Sequence, residues 1–120
     1  MCPRKMEEYR RTARMRLEKQ RHLVAGRRER AWEVARRAAH ILREEYGAGR
    51  VMAFGSLVRE KGFHLHSDVD LAVWGIPEEA YCRAVARVLD IEPSISVDLV
   101  EIEESQPYLR RVIAEEGVIL

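Results

Sequence analysis

Asparagine is absent from the 120 residues, threonine occurs once, and there are only two cysteines. Cys2 and Cys82 are far apart and one sits at the terminus. A structural disulfide is therefore not expected, and a reducing, cytoplasmic compartment suits the chain. No apolar run approaches about 18 residues, and the basic N-terminus leads into no apolar segment, so neither a membrane-spanning helix nor a secretory signal is expected. Internal repeats and low-complexity stretches are lacking as well. Lysine is scarce, with Arg outnumbering Lys 18 to 3. That bias fits a heat-adapted source and a GC-rich one equally.

Between Arg4 and Tyr46 there is no proline and one glycine, Gly26. The residues there are mostly strong helix formers. Leu17, Val24, Ala31 and Ala38 recur every seven positions, joined by Ala13, Val34, Ala35, Ile41 and Leu42. The spacing predicts an amphipathic helix, continuous or bent near Gly26, ended by Gly47-Ala48-Gly49. Its second half, Arg30 to Tyr46, has the wider apolar stripe and docks on a core; its first half is thin in apolar residues.

Charge divides the chain in the same way. Residues 1–50 hold 15 Lys/Arg against 7 Asp/Glu, and residues 51–120 hold 6 against 13. We read residues 1–26 as a basic helical extension and residues 27–120 as one compact domain. From Arg4 to Arg30, eleven cationic residues face four Glu. This segment is open to three readings: a solvated face, a contact for nucleic acid phosphates, or an arm docking on an acidic partner or a second copy.

Arg50 to Phe54 reads as a buried strand, Gly55 to about Arg59 as a helical turn, Glu60 to Ser67 as a loop, and Asp68 to Trp74 as a strand. Pro77-Glu78-Glu79 opens a helix that buries Tyr81, Val85, Val88 and Leu89 and stops before Pro93. Ser94 to Ile102 alternates as a strand, Gln106 to Glu116 forms a helix, and Gly117 to Leu120 a closing strand. The class is α/β, in the α+β sense of a small mixed sheet flanked by helices.

Chemistry concentrates between Phe54 and Val73. A strand delivers the Gly55-Ser56 turn, whose backbone N–H groups suit a phosphate. If the next strand begins at Asp68, Asp68 and Asp70 point the same way, roughly 6.5 Å apart. Their repulsion, about 2.5 kcal/mol at an effective dielectric near 20, calls for a cation. Asp98 lies within the apolar run Ile95 to Val100, where a bare carboxylate is costly. Three such carboxylates suit two Mg²⁺ ions in transfer of a phosphorus-centred group. His64 and His66 share the parity of the aspartates, so an early strand start would offer a His/Asp zinc set; a polar loop pair is the commoner outcome. Cys82, Trp32 and Trp74 read as packing, and Glu101, Glu103 and Glu104 as a solvated strand end.

Gly55-Ser56, a loop, Ser67-Asp68-Val69-Asp70-Leu71, and a lone aspartate in Val97-Asp98-Leu99-Val100 together resemble the minimal nucleotidyltransferases (MNT) of the DNA-polymerase-beta-like superfamily. The resemblance spans roughly Ala31 to Leu120. It implies the polymerase-beta-like nucleotidyltransferase fold, here preceded by a long helix. Gly55, Ser56 and Arg59 are implied as nucleotide-binding residues, and Asp68, Asp70 and Asp98 as catalytic and metal-binding residues. The implied activity is Mg²⁺-dependent transfer of a nucleoside monophosphate, AMP from ATP, to a hydroxyl of a partner protein, with release of pyrophosphate. The implied setting is that of an antitoxin beside a HEPN-type toxin. The alternative is a non-catalytic module that neutralises its partner by binding. Eleven residues separate Ser56 from Asp68, one more than usual, and the glycine common after the arginine is displaced to Gly62, behind Glu60 and Lys61; both departures bear on nucleotide choice.

Overall fold

In the computed structural model, which describes residues 3–59 and 61–120, the helix-forming opening stretch is one helix, α1 (Pro3–Tyr46). Gly26 does not break it, because a lone glycine costs a helix only about 1 kcal/mol relative to alanine. At about 1.5 Å per residue α1 accounts for the molecule's 67 Å long axis. From Ala31 onward a stripe of Ala31, Val34, Ala35, Ala38, Ala39 and Leu42 is buried. Gly47, at φ +73°, turns the chain out of the helix, and the Ala48 N–H returns to the Leu42 carbonyl at 3.0 Å.

Four strands follow: β1 (Arg50–Phe54), β2 (Val69–Trp74), β3 (Val97–Glu101) and β4 (Val118–Ile119). Their order in the sheet is β3-β2-β1-β4. β1 runs antiparallel to both β2 and β4, whereas β2 and β3 are parallel. A parallel pair needs a crossover, supplied by α2 (Glu78–Leu89). The last helix, α3 (Pro107–Glu116), links β3 to β4.

Alternation along the strands makes two cores. Val51, Ala53, Val69, Leu71, Val73, Val97 and Leu99 pack on one face against α1 and α2. Met52, Phe54, Ala72, Ile102 and Ile113 form a smaller core on the face that carries α3. The fold is thus the small mixed sheet with flanking helices and a long N-terminal helix.

Several sequence expectations need correction. β2 begins at Val69, so Asp68 lies one residue before the strand. The expected strand over Ser94–Ile102 shrinks to Val97–Glu101. Its start is taken by a turn in which Ile95 N–H bonds to the Glu92 carbonyl, and its end by a 3₁₀ turn over Ile102–Glu104. Pro77 is the N-cap of α2 rather than its first residue. Helix α2 buries Ala84 and Val88, which leaves Cys82 exposed instead of packed and Leu89 41% exposed. Cys2 and Glu60 lie outside the described residues.

Candidate active site

β1 ends at Phe54, and Gly55, at φ +77°, opens a 3₁₀ turn, Gly55–Leu57, closed by the Val58 N–H on the Gly55 carbonyl at 3.2 Å. Glycine is required here for two reasons. A left-handed φ is strained for any residue with a Cβ, and a Cβ built at this point would lie 2.5 Å from Asp70 Oδ2. The glycine expected to admit a phosphate thus already admits the Asp70 carboxylate.

Asp70 pairs in register with Phe54 on β1 and with Asp98 on β3. Paired residues project from the same face, so both carboxylates stand on the side of the sheet that carries α3. Asp70 is half-buried, and its pKa is raised from 3.8 to about 6. Burial is the largest cause, followed by the charges of Asp98 and Asp68; the Arg59 charge partly offsets them. Asp98 is exposed, contrary to the expectation that it is the costly carboxylate. Its neighbours Val97 and Leu99 take the buried face, and β3 is an edge strand, so Asp98 meets solvent while Asp70 bears the desolvation.

Ser67 and not Asp68 is the buried residue before β2, at 6% exposure. Its N–H donates to the His64 carbonyl at 3.1 Å, and its hydroxyl accepts from the His64 N–H at 2.9 Å. His64 and His66 therefore lie in a turn ahead of the strand, where Nδ1 of His64 accepts the His66 N–H at 3.1 Å. They do not join the aspartates on a strand face. Arg59 Nε donates to Glu116 Oε2 at 3.1 Å, an exposed pair that ties the turn to α3.

Two residues that sequence reasoning passed over support this region. Arg28 Nη2 donates to the carbonyls of Leu57 and Arg59, each at 3.0 Å. Arg27 Nη2 donates to the Ser67 carbonyl at 3.1 Å. Both act on backbone oxygens about 30 to 40 positions away, for which no sequence motif exists.

Among the described residues, no three His, Cys, Asp or Glu side chains are drawn together closely enough to hold a metal by themselves. The donor set nevertheless fits a hard divalent cation. Mg²⁺ is commonly held by one or two carboxylates plus substrate phosphates, and here burial, followed by repulsion from Asp98 and Asp68, makes Asp70 reluctant to ionise without added positive charge. A surface groove of about 970 Å³, lined by Tyr81, Val100, Glu101 and Glu104 among others, opens toward the C-terminal end of β3. Neither Gly55 nor any of the three aspartates lines this groove, so the chemistry is located by the carboxylates.

Residues 37–120 match the family model described as polymerase beta, nucleotidyltransferase. The chain belongs to this family. No curated protein sequence matches it. Among solved structures, two mutants of the toxin–antitoxin pair MntA–HpeT superpose with TM-scores of 0.58, at 17% and 21% identity. Each comparison covers 71% of this chain, and 70% and 69% of the respective neighbour. A third neighbour is a tri-AMPylated HEPN toxin of Shewanella oneidensis in complex with its MNT antitoxin. It matches with a TM-score of 0.55 and 18% identity over 74% of this chain and 70% of that one. At these identities the neighbours establish the polymerase-beta-like nucleotidyltransferase fold.

Proposed function

We propose that the chain transfers a nucleoside monophosphate, AMP from ATP, to a hydroxyl group of a partner protein. The observation that carries this reading is the side-by-side register of Asp70 and Asp98 beside the Gly55 turn, with Asp70 held against ionisation by burial and by its acidic neighbours. Family membership supports the reaction class. The neighbouring complexes are toxin–antitoxin pairs, one of them an AMPylated HEPN toxin with an MNT antitoxin, and they support a HEPN-type protein as acceptor and an antitoxin role.

In this reading Asp68, Asp70 and Asp98 hold Mg²⁺, which when bound supplies positive charge to the triphosphate and its leaving group. The backbone N–H groups at Gly55 and Ser56 receive phosphate oxygens, as turn amides do where no Cβ intrudes. Arg59 exchanges its exposed partner Glu116 for a phosphate, at little loss because such a pair is worth under about 1 kcal/mol. The acceptor oxygen attacks the α-phosphorus in line, the bond to pyrophosphate breaks, and the hydroxyl proton passes to Asp98, the solvent-facing carboxylate. Residues 27–120 form the catalytic unit. Residues 1–26 are a basic extension that docks on an acidic partner or second copy.

The test is incubation with α-labelled ATP, Mg²⁺ and the protein encoded beside this chain. The expected result is label on that protein from the wild type and none from Asp70→Asn or Asp98→Asn. Equal labelling by both variants would remove these aspartates from the mechanism, and binding of the neighbour without labelling would favour a non-catalytic, neutralising role.

A further inference from the structure

The segment between Leu57 and Ser67 joins the two halves of the site. Gly55 and Ser56 immediately precede it, and Asp68 and Asp70 follow. A connection of this length on a surface is free to wander unless something holds its ends. Two adjacent arginines of α1 hold both. Arg28 grips the first end with one guanidinium nitrogen on the carbonyls of Leu57 and Arg59, each at 3.0 Å. Arg27 grips the second end through the Ser67 carbonyl at 3.1 Å. Ser67 is itself buried and bonded to His64 through both its N–H and its hydroxyl. The Arg27 Nε is buried without an acceptor among the described residues, so the bond from Nη2 to the Ser67 carbonyl is what offsets the desolvation of this guanidinium. Both arginines lie before residue 37, where the family match begins.

We propose that Arg27 and Arg28 are positioning residues of the transfer site. Anchored on one rigid helix, they set the separation between the phosphate-receiving turn at Gly55-Ser56 and the carboxylates that begin at Asp68. Asp70 and Asp98 project from the sheet face that carries α3, whereas α1 lies on the other face. The arginines therefore act from behind, through backbone carbonyls, without touching nucleotide. The proposal rests on the nucleotide-binding reading of the same site.

The experiment is titration of the full-length protein with Mg²⁺–ATP by calorimetry, for the wild type and for Arg28→Ala, Arg27→Ala and Arg28→Lys. Thermal melts establish that each variant is folded at the titration temperature. Loss of the clamp should weaken binding roughly tenfold in Arg28→Ala and Arg27→Ala. Arg28→Lys keeps the charge and stem but has a single point donor, so its affinity should fall between Arg28→Ala and the wild type. Arg14→Ala, on the exposed part of α1, removes one charge without a loop contact and should leave the affinity unchanged. Folded variants that bind as tightly as the wild type overturn the clamp alone. If the alanine variants do not fold, wild-type affinity in Arg28→Lys overturns it. A wild type that binds no Mg²⁺–ATP overturns the nucleotide reading and, with it, this one.

Discussion

Asp70 is harder to ionise in the folded protein than in the unfolded chain. With its folded pKa about 6 against 3.8, the folded state holds this proton more tightly than the unfolded chain does. The group is therefore neutral toward stability below about pH 4, and it destabilises increasingly as pH rises from 3.8 through 6. The full shift corresponds to about 3 kcal/mol, which solvent screening of a half-exposed group reduces to about 1 kcal/mol. Asp70→Asn is accordingly expected to stabilise the metal-free protein by about 1 kcal/mol at pH 7 and by nothing at pH 4, checked by urea denaturation at both values. Gly55 answers to the same carboxylate. Gly55→Ala places a Cβ against Asp70 Oδ2 at a left-handed φ, and is expected to destabilise by about 1–2 kcal/mol. In an Asp70→Ala background part of that loss should disappear and the part due to φ remain; a double-mutant cycle separates them.

At the level of elements, β1 could be read from sequence to the residue, because Gly49 and Gly55 bracket Arg50 and the apolar run Val51 to Phe54. β3 was over-read at both ends. The alternation of Ile95, Val97 and Leu99 on one side, with Val100 and Ile102 on the other, continues into turns where Ile95 and Ile102 are also buried, so periodicity did not reveal where pairing stops. The aspartates were visible as a motif, but their burial was not. Which carboxylate is shielded depends on β3 being the edge strand and on α3 covering the β1 side, both long-range outcomes. Arg27 and Arg28 were indistinguishable from the other arginines of α1, since a bond to a distant carbonyl leaves no trace in local sequence. The exposed part of α1 was legible from its thin apolar stripe. Residues 4–23 are all exposed, so a chain lacking residues 1–19 should unfold at a midpoint within a few degrees of the parent, followed by circular dichroism.

For the whole molecule, the charge division has a geometric counterpart. The cationic start of α1 extends past the turn that holds Gly55, at one end of the sheet. At the other end Glu78, Glu101, Glu103 and Glu104 line a groove, where burial and then the neighbouring glutamates raise the Glu101 pKa. Among the described residues no helix is long and apolar enough to cross a membrane. Central to the proposed function is the meeting of a divalent cation and a nucleoside triphosphate at Asp68, Asp70 and Asp98. The most direct measurement is a calorimetric titration of the wild type with ATP, with and without Mg²⁺, beside Asp70→Asn. The account predicts binding that requires Mg²⁺ and is lost in the variant; binding of equal strength without Mg²⁺, or in Asp70→Asn, would contradict it.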